Sequence, residues 1–108
     1  MKVVIPVEQA RVDSPISSIF GRSPFFYLFD SETNQGSFLE STFLFGQSAG
    51  IQAAQLMIDH GVDVLISNRC GENAMRLLSA GNITVYHAAA SSAAENLELF
   101  FAGKLSLL

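Results

Sequence analysis

The sequence predicts an α/β protein in which a five-stranded mixed sheet carries helices on both faces. Lys2–Val7 is a nearly continuous apolar run, as expected of a central strand that is covered on both sides. Two further apolar runs flank the turn-forming segment 31–36 and so predict an antiparallel hairpin. The second half of the chain alternates helical and strand patterns, which implies parallel strands joined by crossover helices.

The individual elements can be placed in order along the chain. We expect strands at Lys2–Val7, Phe25–Asp30, 37–43, 62–67 and 83–87. We expect helices at 48–60, Glu72–Ala80 and 92–102, each followed by a glycine, at positions 61, 81 and 103. The hairpin supplies the antiparallel strand of the mixed sheet. The 108 residues predict one domain, 1–108, which can bury about two thirds of its unfolded surface.

The segment 14–26 is a long, polar loop punctuated by Pro and Gly between two predicted strands. Loops of this length in a small domain are usually functional or disordered, and the large apolar residues in this one argue against disorder. We expect Phe20 to pack onto the body and Gly21 to allow a sharp turn. Arg22 would then face solvent or a bound anion.

Ligands of open α/β sheets gather at the carboxyl ends of the parallel strands. If the first, fourth and fifth predicted strands are parallel neighbours, Asn68, Arg69, Cys70 and Gly71 share one edge of the sheet with His87. The long loop begins at that same edge. We therefore expect a ligand site there, with the loop as its lid or wall.

Cys70 is a candidate metal ligand at this edge. It precedes Gly71 at the predicted start of a helix, where exposed N–H groups and the helix dipole favour a thiolate with a lowered pKa. A thiolate binds iron, copper or zinc, and a neutral His87 imidazole is a compatible second ligand. Structural interpretations stay open, because free cysteines often only fill space and a histidine at a strand end can simply bond a loop carbonyl.

Other features of the sequence could hold an anion. Arg22 and Arg69 are candidates because a guanidinium binds anions through paired N–H groups, although both could equally be solvated. The helix start Ser48-Ala49-Gly50 could receive an anion on its backbone N–H groups. The chain has no Walker-type lysine and no Gly-x-Gly-x-x-Gly fingerprint, so nothing singles out a nucleotide.

Composition excludes several classes of function. A net charge of -4 with only six Lys and Arg offers no basic stripe, so we expect no nucleic-acid binding. A single cysteine cannot form an intramolecular disulfide, and the N-terminal apolar stretch is too short for a signal peptide. No apolar run approaches 18 residues, so no membrane span is expected. These features predict a cytoplasmic protein with a free thiol.

The chain also carries an ordered set of short segments that are individually unspecific. They are Ile5-Pro6-Val7, Ser14-Pro15, Phe20-Gly21-Arg22-Ser23-Pro24-Phe25-Phe26, the segments 49–56 and 61–66, Gly71-Glu72-Asn73-Ala74, and the segment 81–86. As a set, they resemble the dinitrogenase iron-molybdenum cofactor biosynthesis family, which includes small stand-alone, nitrogenase accessory factor-like proteins. The resemblance implies a three-layer α/β/α arrangement with a ribonuclease H-like motif and one antiparallel strand.

The resemblance also implies a ligand and partners. Better-known members of this family resemble carriers or escorts of iron-sulfur and iron-molybdenum clusters. The resemblance therefore implies a transiently bound cluster and a protein that donates or accepts it. The candidate cofactor-binding residues are Phe20, Gly21, Arg22, Asn68, Arg69 and Gly71, and the candidate metal ligands are Cys70 and His87. Family members commonly have a His before the Phe-Gly of the loop, where this chain has Ile19. Isoleucine cannot coordinate a metal, which leaves Cys70 as the soft ligand near the expected site.

Enzymatic interpretations are disfavoured. A nuclease of the ribonuclease H type needs carboxylates that converge on two metal ions, and the first strand has no interior Asp or Glu. A hydrolase would use Cys70 and His87 as nucleophile and base, but no residue that would orient the imidazole can be identified. We therefore expect a binding protein rather than an enzyme.

The alternative is a metal-free interaction or regulatory module that acts through a protein partner. Phe43, Phe45, Phe100 and Phe101 could form a partner surface or a homodimer interface, because large apolar patches tend to mark interfaces. Adjacent helix positions cannot both face the core, so one of Phe100 and Phe101 is expected to pack inward.

Overall fold

Five strands and three helices follow one another in the computed structural model, which describes residues 1–42, 46 and 48–108. The strands are β1 (Lys2–Val7), β2 (Phe25–Asp30), β3 (Gln35–Glu40), β4 (Val64–Ser67) and β5 (Thr84–His87). The helices are α1 (Ala49–Asp59), α2 (Glu72–Ala80) and α3 (Ala93–Phe101). The predicted order of elements is confirmed. Of the helices in the described ranges, none is long and apolar enough to cross a membrane.

The strands form one mixed sheet in the order β3-β2-β1-β4-β5. β1 pairs parallel with β4, and β4 pairs parallel with β5. β2 runs antiparallel to both of its neighbours, β1 and β3. The mixed sheet with an antiparallel strand contributed by the hairpin is therefore as predicted.

Helices cover both faces of this sheet. Side chains of a strand alternate between faces, and β1 shows both environments. Val4 belongs to an apolar cluster with Met57 of α1 and Leu78 of α2, whereas Val3 packs on the other face in a cluster that includes Ala93 of α3. The three-layer α/β/α architecture is confirmed, with α1 and α2 on one face and α3 on the other.

Two strands begin later than the apolar pattern suggested. Val62 and Ile83 are buried, as residues of a central strand would be, but they precede β4 and β5. Their N–H groups donate to carbonyls of the preceding helices, Val62 to Met57 O at 3.1 Å and Ile83 to Leu78 O at 2.9 Å. Each is an apolar anchor in a helix-to-strand turn, and burial alone could not distinguish that role from strand pairing.

The turn of the hairpin is also shorter than predicted. β3 starts at Gln35, which pairs with Asp30, so Gly36 lies in the strand rather than in the turn. The Tyr27 ring occupies the space that a side chain at Gly36 would need. The end of the predicted third strand, at Phe43, lies outside the described residues.

Candidate functional site

The carboxyl ends of the parallel strands β1, β4 and β5 meet at one edge of the sheet, and residues 8–24, the lid loop, run along it. Ile16 forms an antiparallel bridge with Val7, and the Ser17 N–H donates to Pro6 O at 3.0 Å. The Phe20 N–H donates to Arg69 O at 2.7 Å, which ties the loop to the exit of β4. The predicted wall at the strand exits is therefore present.

Buried hydroxyl groups hold the lid loop in place. Ser14, Ser17 and Ser23 are all buried, although they lie in a loop. Ser23 Oγ lies 2.9 Å from Val7 O and 2.9 Å from Ser17 Oγ, and Ser17 Oγ lies 2.6 Å from Glu8 Oε2. Buried polar groups need hydrogen-bond partners, so this network stabilises one conformation of the loop. It explains how a polar segment is ordered.

A groove of about 300 Å³ opens between the lid loop and the first turns of α1 and α2; we call it the strand-exit groove. Its lining residues are Ile19, Phe20, Gly50, Ile51, Gly71, Glu72, Asn73 and Ala74. Two of these, Phe20 and Gly71, were predicted from the sequence as site residues. The others in α1 and α2 contribute mainly by position, because they are the first-turn residues of two helices that point at the same space.

The first turns of α1 and α2 border this groove, and the Ala49 N–H at the start of α1 donates to Gly46 O at 3.2 Å. The N-cap residues, Ser48 of α1 and Gly71 of α2, make no side-chain capping hydrogen bond to any residue that the structure describes. α3, which starts elsewhere, is capped by Ser92, whose side chain accepts from the Glu95 N–H. First-turn N–H groups have no partner within their helix and carry positive dipole, so two converging N-termini favour an anion.

Phe20 and Gly21 fix the loop side of the groove. Phe20 is 2% exposed and its ring packs against Phe26, with 6.1 Å between ring centroids. Gly21 has a φ of +95°, and its backbone lies directly on that of Gly50 in α1. The predicted packing of Phe20 and the predicted turn at Gly21 are both confirmed.

The remaining polar candidates lie around the groove. Asn68 Nδ2 donates to Ser17 O at 3.2 Å, so this residue positions the lid loop. Arg22 and Arg69 are exposed on the two segments that meet beside the groove. Their predicted contact with an anion stays a prediction. Glu72 brings a carboxylate to the groove, but it is paired with Arg76 at 2.6 Å.

The pKa of the Cys70 thiol differs from the predicted one. Its side chain is half-buried and packs against the apolar cluster of α1 and α2. Burial raises the pKa of the Cys70 thiol from an ordinary value of 9.0 to about 11. The expected lowering of this pKa is therefore wrong: the helix start is present, but removal of the sulfur from water outweighs it.

His87 is exposed at the end of β5, where it pairs with Ser67 of β4. Its backbone N–H donates to Ser106 O at 2.8 Å. Within 1–42, 46 and 48–108, no three or more His, Cys, Asp and Glu side chains form a group that could hold a metal ion. Ligation by Cys70 and His87 therefore stays a prediction of the sequence.

A larger apolar groove, of about 520 Å³, lies on the opposite face between the hairpin and α3. Phe29, Leu97 and Phe101 line it, and Phe101 is 51% exposed. Phe100 instead packs inward against Tyr86, so one of the two adjacent phenylalanines faces the core as predicted. Phe43 and Phe45, predicted for the same apolar surface, lie outside the described residues. The smaller groove is the candidate ligand site, because first-turn residues of two helices line it.

Comparison with known proteins identifies relatives of the whole fold. A family model described as dinitrogenase iron-molybdenum cofactor matches residues 1–103. A putative NifB protein from Thermotoga shares 28% identity and a TM-score of 0.89, covering 99% of this chain and 92% of that one. A putative dinitrogenase from Methanocaldococcus jannaschii shares 25% identity and a TM-score of 0.72, covering 100% and 94%.

The apo form of the orange protein from Desulfovibrio gigas has the same fold, with a TM-score of 0.91 over 99% of this chain and 92% of that one. At 23% identity, this likeness concerns the fold alone. No curated protein matches the chain.

Proposed function

The chain belongs to the dinitrogenase iron-molybdenum cofactor family, and on this premise we propose that it is a non-catalytic carrier that binds an anionic iron-sulfur or iron-molybdenum cluster in the strand-exit groove. The family is related to the biosynthesis of that cofactor. The observation that carries the proposal is that the first turns of two helices border one groove at the strand exits, with no side-chain cap from the described part of the chain. The cluster is cargo rather than a resident group.

Hydrogen bonds from the backbone suit such a cargo. The sulfides of a negatively charged cluster accept hydrogen bonds, and the first-turn N–H groups of α1 and α2 are donors that need no change of protonation. The chain as a whole is acidic, with a net charge of -4, so attraction must be local. Arg22 and Arg69 are exposed on segments next to groove-lining residues, and we expect them to offset part of the cluster charge.

Direct ligation is the less favourable way to hold the cluster. Cys70 must lose a proton before it can bind iron, and its raised pKa opposes that loss at neutral pH. His87 sits at the end of β5 rather than among the groove-lining residues. We therefore place the cluster first on the N–H groups of the helices, with the Cys70 thiol as a further ligand only where a cluster displaces its proton.

The test uses isolated iron-molybdenum cofactor and a synthetic iron-sulfur cluster as probes. The anaerobic chain is incubated with each and passed through a desalting column, and bound cluster is measured by visible absorption and metal analysis. We expect wild type to retain cluster. Asn73→Asp places a carboxylate in the groove and should weaken retention at least about tenfold through charge repulsion.

Two controls make the result specific. Gln35→Glu adds the same charge on exposed β3, away from the groove, and should retain cluster like wild type. Cys70→Ala separates the two modes of holding: retention supports binding by N–H groups, and complete loss shows that the thiol is the anchor. Failure of wild type to retain either cluster would overturn the carrier function.

An open groove also suits exchange with another protein. Exposed side chains of Ile19 and Ile51 flank the groove, so its contents can be reached from outside. We therefore propose that a cluster donor or acceptor protein is the physiological partner.

The metal-free alternative has one observation in its favour, the half-exposed Phe101 ring beside the larger apolar groove. In that case the chain would act through a protein bound at this face. Phe101→Asp should then abolish any concentration-dependent light scattering of the wild type. Unchanged scattering would count against this surface.

A further inference from the structure

The outer edge of β5 is covered by a later segment of the same chain. After α3, the backbone turns at Gly103, which has a φ of +71°, and residues 105–108, the edge cover, run antiparallel to β5. The His87 N–H donates to Ser106 O at 2.8 Å, and the Leu108 N–H donates to Val85 O at 3.0 Å. The edge of the sheet is thus closed by two backbone hydrogen bonds centred on Tyr86.

A second copy of β5 would satisfy the same two groups in the same register. In the present bridge, Tyr86 lies opposite Leu107, and the bonds are made by the residues on either side. If Tyr86 instead lay opposite Tyr86 of a second copy, each His87 N–H would face the Val85 carbonyl of the other copy. The arrangement is two-fold symmetric and would extend the five-stranded sheet across both copies.

β5 is short, with four residues, but it lacks the side chains that usually protect an edge strand. Its sequence, Thr-Val-Tyr-His, contains no Lys, no acidic residue and no proline. Tyr86 is half-buried against Phe100, with 5.1 Å between ring centroids, and so presents an aromatic surface near the edge. Protection of this edge therefore depends on the edge cover.

The side chains of the edge cover are largely exposed. Leu107 is 67% exposed and Leu108 is 41% exposed, and of its residues Leu105 packs partly against the apolar cluster of α3. We propose that residues 105–108 are a displaceable cover, and that β5 pairs with β5 of a second copy when the cover is released. The cover keeps the chain monomeric, and its release is a switch to a two-fold dimer that is independent of cluster binding.

The test is truncation after Lys104, followed by sedimentation velocity from micromolar to millimolar concentration, with circular dichroism to confirm the fold. We expect the truncated chain to form a concentration-dependent dimer. The pairing surface is small, so a weak dimer is expected. The intact chain should stay monomeric over the same range. A folded, truncated chain that stays monomeric throughout would overturn the proposal, as would equal dimerisation of the intact chain.

A second substitution identifies the surface. His87→Pro in the truncated chain removes the outward N–H donor. The N–H groups of Thr84 and Ala88, which donate to Asp63 O and Ser67 O towards β4, are untouched. This variant should be monomeric, and a persistent dimer would place the interface elsewhere. If the truncated chain does not fold, Leu105→Asp in the intact chain loosens the cover instead and should produce the same dimer. A folded Leu105→Asp chain that stays monomeric would overturn the proposal.

Discussion

The backbones of Gly21 and Gly50 are in direct contact: a Cβ at Gly21 would lie 2.7 Å from the Gly50 Cα and 2.8 Å from the Gly50 N. One glycine belongs to the lid loop and the other to the first turn of α1. The loop wall of the strand-exit groove is therefore set by contact between main chains, with no side chain that could adjust. The shape of the groove and the stability of the fold depend on the same contact.

Gly21→Ala should be strongly destabilising. Its φ of +95° is unfavourable for any L side chain, and the new Cβ would overlap backbone atoms that cannot rotate away. We expect a loss of at least about 2 kcal/mol in the free energy of unfolding, measured by urea denaturation. Gly50→Ala is the matched control, because its Cβ would meet Ala74 Cβ at an ordinary 3.5 Å and alanine favours helix. Its effect should range from neutral to a gain of about 1 kcal/mol. If Gly21→Ala lost as little stability as Gly50→Ala, the backbones of Gly21 and Gly50 would be less closely packed than described.

The Cys70 thiol should make stability depend on pH in the alkaline range. Its pKa is raised from 9.0 to about 11 in the folded chain, so folding favours the protonated thiol. This contribution is fully present below pH 9 and is lost as the pH rises through 11. Cys70→Ala should lose less stability than wild type between these values. The comparison must be a difference between the two proteins, because burial also raises the pKa of Tyr27, which titrates in both.

The same burial should make the thiol slow to react. At pH 8, we expect a disulfide reagent to modify Cys70 in the folded chain about tenfold to a hundredfold more slowly than in the urea-unfolded chain, because the thiolate is the reactive form. Equal rates in the two states would show that the sulfur is more accessible to water than its packing against the apolar cluster indicates.

Ser23 should matter for the lid loop although it is a single hydroxyl in a loop. Ser23→Ala removes the hydroxyl contacts to Ser17 Oγ and Val7 O and leaves Ser17 with Glu8 as its partner, which should lower the free energy of unfolding by about 1–3 kcal/mol and speed proteolysis within residues 8–24. Ser18→Ala is the matched control, because Ser18 is exposed in the same loop. Comparable effects of the two substitutions would rule out the buried network as what orders the loop.

The arrangement of layers was predictable because periodicity and turn residues report directly on it. The continuous apolar run of β1 identified a strand buried on both faces, and the glycines at 61, 81 and 103 marked the ends of the helices. The same pattern could not show that an apolar residue lies just before a strand rather than in it. Val62 and Ile83 are as buried as strand residues, and only their hydrogen bonds back to the helices show that they lie in turns.

The candidate site was only partly predictable, for a related reason. Phe20 could be recognised as a large apolar residue in a loop, and Gly71 as a residue that interrupts regular structure. Gly50, Ile51 and Asn73 line the groove because of where their backbone lies, and the type of side chain does not reveal that. The predicted helix starts at Ser48-Ala49-Gly50 and at Glu72 were the available signals for them. The pKa of Cys70 could not be predicted because position at a helix start is local, while burial depends on packing between distant segments.

Asn96→Asp should be strongly destabilising although the two side chains have the same shape. The buried Asn96 side chain accepts from the N–H groups of Ala89 and Ala90, and its Nδ2 donates to Ala90 O at 2.9 Å and Ser92 O at 2.8 Å. A carboxylate keeps the accepted bonds but turns both donated ones into repulsion between oxygens. We expect a loss of about 2–4 kcal/mol at neutral pH, measured by urea denaturation.

The pH dependence of this loss separates electrostatics from packing. The pKa of the new carboxyl should be raised in the folded chain, so the deficit of Asn96→Asp against wild type is largest above that pKa and shrinks as the pH falls through it towards the ordinary value, because the protonated acid can donate one of the two lost bonds. Asn73→Asp makes the same substitution at the exposed first turn of α2, where the helix dipole favours a negative charge, and should be neutral or gain up to about 1 kcal/mol. A deficit in Asn96→Asp that stays constant between pH 4 and 8 would mean that the loop 88–92 has rearranged around the new side chain instead of opposing its charge.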